Sequence, residues 1–229
     1  MGADDFVALV PAAGTGERYG GELPKQFRVV SGRSVLRWSV ERLLSGGVDR
    51  VVVAISSGQE SRAREHLRGL PGIQVVTGAA TRQDSVGRCL EAAEVAGSTV
   101  VAVHDAARAA VDPRDVQEVL RVGAEGAAVL GRRVTDTLKR IDGGRIGSTV
   151  DRSGLWCAET PQVFRAETLR QAHRLAGESA FVGTDEASLV EEFLDTEVRA
   201  VEARFPNPKM TWPGDETFLA LLLERGRGS

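Results

Sequence analysis

The sequence predicts an α/β protein with a doubly wound, mostly parallel sheet (a Rossmann-like arrangement) and a protruding β-arm. Short β-rich apolar runs alternate with helical patterns along the chain, which is typical of this fold class. The runs are continuously apolar, as expected for strands that are buried on both faces. The alternation is interrupted over residues 132–156, and the total length of 229 residues suits one domain spanning residues 1–229.

Individual elements follow from apolar spacing and from turn residues. Four apolar runs predict strands, at residues 6–10, 51–55, 74–76 and 99–103. Apolar residues at helical intervals predict two helices between them, at residues 34–44 and 85–96. Asp112 followed by Pro113 predicts an N-cap and first helical residue, and a further helix over residues 114–122.

Residues 132–156 do not fit a strand–helix unit. The segment is polar, alternates in character over residues 134–138, and contains Gly143-Gly144 at a predicted turn. This pattern favours a hairpin-like arm inserted into the domain. Regular α/β patterning resumes after Pro161.

Composition excludes several classes of function. The net charge is only -3, so a broad surface for nucleic acid or an anionic membrane is not indicated, although a local pocket for a small anion is compatible with it. The N-terminus lacks a signal-peptide pattern, and no apolar run approaches the ~20 residues that span a bilayer. Cys89 and Cys157 are far apart and belong to no C-x-x-C pair, which is typical of reduced thiols. We therefore expect a cytoplasmic protein.

The segment after the first strand indicates a phosphate-binding loop. Residues 11–20 read PAAGTGERYG, and Pro24, Lys25 and Gln26 follow shortly afterwards. Small residues and glycines let the backbone approach a ligand and direct N–H groups at phosphate oxygens. Arg18 and Lys25 add positive charge. The position after a strand, the glycines and the two cations together favour a phosphate site over an ordinary surface turn.

Two familiar phosphate loops do not match this spacing. A dinucleotide fingerprint needs G-x-G-x-x-G, but Tyr19 stands where the third glycine belongs, which argues against a nicotinamide dehydrogenase. A P-loop needs glycine before its lysine, whereas Lys25 follows Pro24.

The motif P-A-A-G-x-G-x-R followed by P-K-Q resembles the start of the 2-C-methyl-D-erythritol 4-phosphate cytidylyltransferases of the non-mevalonate isoprenoid pathway. Further motifs of that family follow in family order over nearly the whole chain: residues 78–86, HDAAR at 104–108, DTLK at 136–139, TVDR at 149–152, TPQ at 160–162 and TDEAS at 184–188. There are two departures from the family pattern. Ala79 replaces the family's second glycine, and residues 207–215 read NPKMTWPGD where the family has N-x-K-[IV]-T-x-P-E-D.

The resemblance implies that the chain converts CTP and 2-C-methyl-D-erythritol 4-phosphate to 4-diphosphocytidyl-2-C-methyl-D-erythritol and pyrophosphate, with Mg²⁺ as cofactor, in isoprenoid precursor biosynthesis. Both reactants are polyanions and the attacking phosphate is already an anion, so positioning and electrostatics carry the reaction without a general base. The resemblance also implies a homodimer in which the arm is the dimerisation element.

The same resemblance implies roles for individual residues. The residues implied in catalysis are Arg18, Lys25, Arg152 and Lys209. Those implied in nucleotide binding are Ala12, Ala13, Gly14, Gly16, Ala79, Arg82, Ser85, Asp105 and Ala106. Those implied in binding the sugar-alcohol phosphate are Arg108, Thr137, Thr184 and Asp185. Asp105 is also the candidate protein ligand of a Mg²⁺ ion held mainly by the phosphates of CTP.

Several alternatives stay open at this point. A cytidylyltransferase acting on ribitol 5-phosphate would share the nucleotide half, and a nucleotide-binding regulator would keep the pocket without the chemistry. The presence of both Arg18 and Lys25 argues against the regulator. Ser85 is alternatively the N-cap of its helix. Arg152 serves either its own subunit or the neighbouring one.

Overall fold

The structure is a computed structural model that describes residues 5–14 and 23–225, apart from the side chain of Arg225. Seven strands of the described residues form the central sheet: β1 (Phe6–Ala12), β4 (Arg50–Ile55), β5 (Ile73–Thr77), β6 (Val100–Val103), β7 (Ala127–Arg133), β10 (Trp156–Arg165) and β11 (Val198–Glu202). Their order in the sheet is β11-β7-β10-β6-β1-β4-β5. β1 pairs in parallel with β4 and β6, and β4 pairs in parallel with β5. The predicted fold class, a mostly parallel doubly wound sheet, is confirmed.

β10 is the antiparallel member of the sheet. It pairs antiparallel with β6 on one side and β7 on the other, and its register against β7 shifts between Ala158 and Gln162. On the far side of β7, β11 returns to the parallel direction.

Helices cover both faces of the sheet. Within the described residues they are α1 (Val35–Ser45), α2 (Glu60–His66), α3 (Arg82–Ala92), α4 (Pro113–Gly123), α5 (Ala166–Glu178), α6 (Glu186–Phe193) and α7 (Asp215–Arg225). Apolar residues of α1, α2 and α4 pack on one face, and those of α3, α5 and α6 pack on the other. In β1, Ala8 and Val10 face the first group of helices while Val7 and Leu9 face the second. This alternation explains why the strand is apolar throughout, because both of its faces are buried.

Helix starts follow local capping chemistry. Ser34 caps α1 by accepting a hydrogen bond from the Arg37 amide at 3.2 Å. Asp112 caps α4 through the Arg114 amide at 2.8 Å with Pro113 at the first helical position, as predicted. The alternative that Ser85 is an N-cap is wrong: Thr81 caps α3 through the Asp84 amide at 3.0 Å, and the helix begins at Arg82.

The predicted arm is a separate two-stranded hairpin formed by β8 (Leu138–Asp142) and β9 (Arg145–Val150). Gly143 and Gly144 form its turn with φ of 51° and 79°, a region that favours glycine. The ends of the segment, Arg132 and Trp156, belong to β7 and β10, so the hairpin projects from two neighbouring strands of the central sheet. Two further short strands, β2 (Val29–Val30) and β3 (Arg33–Ser34), pair with each other before α1.

Among residues 5–14 and 23–225, no helix is both long and apolar enough to cross a membrane.

Candidate active site

A cleft of about 510 Å³ opens at the carboxyl ends of the parallel strands β1, β5 and β6. Open α/β sheets commonly bind ligands at this edge. The described residues that line the cleft come from five separate segments: Pro11, Ala12, Ala13, Gly14, Lys25, Gln26, Ala79, Ala80, Thr81, Arg82, Ser85, Asp105, Ala106, Ala107, Lys209 and Thr211. Ten of the residues predicted for catalysis or nucleotide binding are therefore together in one cleft, while Gly16 and Arg18 lie outside the described residues.

The loop after β1 is held by side chains that bind its carbonyl groups. The Gln26 amide donates to the Ala12 carbonyl at 2.9 Å, and the Ser56 hydroxyl donates to the Ala13 carbonyl at 2.8 Å. An added Cβ on Gly14 would meet no heavy atom within 4 Å among the described residues, so its backbone borders open space. This arrangement lets a ligand approach the backbone of the loop closely.

The turn between β5 and α3 packs directly against that loop. A Cβ on Gly78 would come within 2.6 Å of the Ala13 Cβ, so only glycine permits this approach. The Ser85 hydroxyl accepts from the Ala79 amide at 3.0 Å and donates to the Thr81 carbonyl at 2.8 Å, and it thereby shapes the turn. Among the described non-glycine residues, positive φ values occur at Ser31, Glu94 and Ala180. Ala79 therefore has a conformation open to any L-residue, so the backbone of this turn does not require the family's glycine at that position.

Asp105 is the centre of a charged network on the floor of the cleft. Its Oδ1 accepts from Arg82 Nε at 2.8 Å, its Oδ2 lies 2.8 Å from Lys209 Nζ, and Arg108 Nε lies 3.8 Å from Oδ2. Burial alone would raise the pKa of Asp105, but the charges and hydrogen bonds of Arg82 and Lys209 outweigh it and hold that pKa well below its usual range. Asp105 is therefore ionised at neutral pH.

Lys25 and Lys209 enter the cleft on segments that are tied together. The ammonium group of Lys25 donates to the Met210 carbonyl at 3.0 Å. The Met210 amide donates to the Ala107 carbonyl at 2.9 Å, which docks the C-terminal segment onto the loop that carries Asp105. Pro208 and Gly214, which depart from the family pattern, do not displace Lys209 from the cleft.

His104 fixes the direction of the Asp105 loop. Its ring is fully buried, with Nδ1 3.0 Å from the Thr160 hydroxyl and Nε2 3.1 Å from the Arg108 carbonyl. The Thr160 hydroxyl also accepts from the Asp105 amide at 3.1 Å. Burial lowers the pKa of His104 to about 4, so the ring is neutral at pH 7 and connects β10 to the loop after β6 without adding charge.

The residues predicted to bind the sugar-alcohol phosphate lie farther apart than those predicted to bind the nucleotide. Arg108 lies beside Asp105 and donates to the Asn207 carbonyl at 2.7 Å. Thr137 and Arg152 are exposed on the arm, where the Arg152 guanidinium donates to the Thr135 carbonyl. Thr184 is exposed, and Asp185 is the N-cap of α6, bound to the Ser188 amide at 3.0 Å. Of this group, Arg108 is the one in contact with the charged network.

Three buried polar residues organise the cleft but were not predicted as site residues. Gln162 donates to Asp185 Oδ2 at 2.7 Å, Asn207 donates to the Thr160 carbonyl at 3.1 Å, and Glu186 binds Arg82. Gln162 and Glu186 stand inside the TPQ and TDEAS motifs, and Asn207 begins the segment that carries Lys209. That motif membership was the available signal, because nothing in residue type alone distinguishes these side chains from surface groups.

The described residues contain no cluster of three or more His, Cys, Asp or Glu residues arranged to hold a metal ion. Asp105 is the acidic residue among the described residues that line the cleft, and cationic side chains already contact both of its oxygens.

Comparison with known proteins places this architecture in a family. The family model for 2-C-methyl-D-erythritol 4-phosphate cytidylyltransferase matches residues 6–225. The enzyme of that name from Deinococcus radiodurans is 44% identical over 209 residues, covering 91% of this chain and 85% of its own. The one from Bacillus velezensis is 35% identical over 230 residues, covering 98% of both chains.

Solved structures agree with this result. The crystal structure of the enzyme of the same name from Thermus thermophilus has a TM-score of 0.82 and 34% identity, covering 96% of this chain and 99% of its own. The fold, the family and the cytidylyltransferase class predicted from the motifs are thereby confirmed, and this chain belongs to the 2-C-methyl-D-erythritol 4-phosphate cytidylyltransferase family.

Proposed function

We propose that the cleft joins CTP to 2-C-methyl-D-erythritol 4-phosphate, forming 4-diphosphocytidyl-2-C-methyl-D-erythritol and releasing pyrophosphate for isoprenoid precursor biosynthesis. The observation that carries this proposal is the charge arrangement around Asp105. One ionised carboxylate contacts Arg82 and Lys209, with Arg108 beside it and Lys25 lining the same cleft. This surplus of positive charge beside a backbone loop suits two polyanionic reactants.

In this reaction a phosphate oxygen of the sugar-alcohol phosphate attacks the α-phosphorus of CTP. The bond from that phosphorus to the bridging oxygen breaks, and pyrophosphate leaves with the electron pair. No proton transfer is needed, so the cations carry catalysis by offsetting repulsion and by stabilising charge in the transition state. We assign this role to Lys25 and to Arg18, with Lys209 and Arg152 acting on the reacting phosphates.

The nucleotide contacts follow from the shape of the cleft. We assign the backbone of Ala12, Ala13, Gly14 and Gly16 to the triphosphate, and Ala79, Arg82 and Ser85 to the cytosine side. Asp105 and Ala106 are assigned to the ribose. Arg108, Thr137, Thr184 and Asp185 are assigned to the second substrate.

The site is compatible with Mg²⁺ if the ion is bound mainly by the phosphate oxygens of the nucleotide. Cationic side chains contact both oxygens of Asp105, so the described residues do not form a protein cage of their own for a metal. The phosphate oxygens of CTP would hold the ion, with Asp105 as the nearby carboxylate. When bound, Mg²⁺ neutralises phosphate charge and favours departure of pyrophosphate.

We also infer that two copies of the chain form a homodimer through the arm. Ile141 and Ile146 of the arm hairpin are 71% and 72% exposed in the single chain, which is unusual for large aliphatic residues on adjacent strands. The arm also carries Thr137 and Arg152, which do not line the cleft of their own chain. A two-fold pair would bring each arm to the other subunit's cleft.

A cytoplasmic location agrees with the two thiols. Cys89 and Cys157 are both free, and burial raises the pKa of Cys89 to about 12, so that thiol is unreactive at neutral pH.

The choice of nucleotide tests the proposed cleft. CTP should give a kcat/KM at least about 10²-fold above that of ATP, GTP or UTP, because a pocket that hydrogen-bonds one base leaves buried groups unpaired with another. The measurement is pyrophosphate release with each nucleotide at saturating second substrate. Comparable kcat/KM values for CTP and ATP would contradict the assignment of residues 78–85 to cytosine.

A further inference from the structure

Glu186 is a buried carboxylate that the proposed chemistry does not use. It is the first residue of α6, and its side chain is only 1% exposed. Both of its oxygens accept from a single nitrogen of Arg82, with Nη1 lying 3.0 Å from Oε1 and 2.8 Å from Oε2. A buried carboxylate needs a partner of this kind, because an unpaired charge in the interior is strongly unfavourable.

Arg82 is therefore clamped between two carboxylates from different parts of the fold. Its Nη1 binds Glu186, while its Nε binds Asp105 Oδ1 at 2.8 Å. The guanidinium has five N–H donors in a rigid plane. The hydrogen bonds to the two carboxylates use Nε and Nη1, and the described residues accept no hydrogen bond from Nη2. The side chain is 27% exposed and lines the cleft.

The position of Glu186 is itself fixed by neighbouring contacts. Asp185 caps α6 in a reciprocal capping box with Ser188. The Gln162 side chain donates to Asp185 Oδ2 at 2.7 Å and accepts from the Ala187 amide at 3.1 Å. Because Gln162 belongs to the central sheet, the start of α6 cannot shift without disturbing β10. Glu186 is thus a rigid anchor for Arg82.

Removing the Glu186 charge would free Arg82 to turn fully onto Asp105. A guanidinium with one carboxylate partner favours a bidentate arrangement that uses both carboxylate oxygens. Here the second oxygen, Oδ2, is 2.8 Å from Lys209 Nζ. The rearranged Arg82 would compete with Lys209 and withdraw its donors from the cleft.

We infer that Glu186 is a positioning residue for nucleotide binding that acts through Arg82. Its carboxylate keeps the guanidinium away from Asp105 Oδ2 and directs its remaining N–H groups into the cleft. The inference rests on the proposed function, in which Arg82 contacts the nucleotide. It adds a specific requirement: the Glu186 carboxylate should affect the KM for CTP only when Arg82 is present. A buried ion pair that served stability alone would show no such dependence.

A double-mutant cycle tests this inference. The variants are Glu186→Gln, Arg82→Gln and the double variant, compared by KM for CTP and kcat/KM, with the melting temperature measured for each. Glu186→Gln should reduce kcat/KM about ten- to a hundredfold, mainly through the KM for CTP, because a displaced contact group loses much of its effect. In the Arg82→Gln background the same change should cost little more, since residues that act as a unit are not additive.

Glu41→Gln is the matched control. Glu41 lies on α1, is paired with Arg37 of the same helix and with Arg33 of β3, and does not line the cleft, so this variant should keep normal kinetics. Wild-type kinetics for folded Glu186→Gln, or losses that multiply in the double variant, would overturn the inference. If Glu186→Gln does not fold, Glu186→Asp takes its place in the cycle, because it keeps the charge and shortens the reach. If the wild-type chain releases no pyrophosphate, the proposed function fails, and CTP affinity measured by calorimetry in the same cycle still decides on Glu186.

Discussion

Lys25→Ala should lower kcat by about 10²-fold or more while changing the KM for CTP much less, by analogy with the loss of one preorganised donor. The reason is that the lysine charge matters most when negative charge develops on the oxygens around the reacting phosphorus. Lys25 lines the cleft, and its ammonium group donates to the Met210 carbonyl at 3.0 Å. Arg18→Ala should behave in the same way, although Arg18 lies outside the described residues.

Steady-state kinetics with CTP and methylerythritol phosphate measure this effect. Arg64→Ala is the control, because Arg64 is an exposed cation of α2 that does not line the cleft. The control variant should keep the wild-type kcat. The assignment is wrong if Lys25→Ala and Arg18→Ala both keep a kcat near that of the wild type, or if their losses appear in KM alone.

Mixing two inactive variants should restore activity if Arg152 completes the neighbouring subunit's site. Arg152 is exposed on the arm and lies outside the described lining of its own chain's cleft. In a heterodimer of Arg152→Ala and Lys25→Ala, one of the two sites would combine an intact Lys25 with an intact Arg152 from the partner. With random exchange, about a quarter of all sites should then be active, since half of the dimers are mixed and each has one intact site.

The result depends on which subunit Arg152 serves. If the arm folds back over its own cleft, every site in the mixture keeps one defect and no activity returns. Native mass spectrometry of isotopically labelled subunits would establish that exchange has taken place. Absence of recovery after proven exchange excludes a shared site while leaving the cytidylyltransferase assignment intact.

Much of the fold was predictable because the strands of a parallel sheet are buried on both faces. The apolar runs that mark β1, β4 and β6 reflect this burial directly, whereas β5 is an edge strand with a shorter apolar run and only partly buried residues. Gly143-Gly144 marks the arm turn because both residues have positive φ. β10 was harder to predict, since an apolar run does not reveal whether a strand pairs parallel or antiparallel. The start of α3 was missed because its first turn is polar: the apolar pattern begins at Val86, whereas Thr81 supplies the cap.

The residues of the candidate site could be predicted only where they belong to a motif of the family. Composition and periodicity cannot show that Lys209 reaches Asp105 across 104 positions of the chain, because that contact depends on how the C-terminal segment docks on Ala107. The bridge that His104 forms between Thr160 and Arg108 likewise depends on tertiary burial, which the sequence pattern does not reveal. Thr137 and Arg152 lie on the projecting arm and do not line the cleft of their own chain, so the family motifs alone mark them as candidate site residues.

The most direct test of the central claim is pyrophosphate release by the purified chain with CTP and Mg²⁺, supplied in parallel with methylerythritol phosphate or ribitol 5-phosphate. We expect release that requires all three components, with kcat/KM for methylerythritol phosphate about tenfold or more above that for ribitol phosphate, because the two differ in groups that the site hydrogen-bonds. Equal or faster turnover of ribitol phosphate would contradict the proposed substrate. If neither compound leads to pyrophosphate release, the proposal that this cleft is a working cytidylyltransferase site is contradicted.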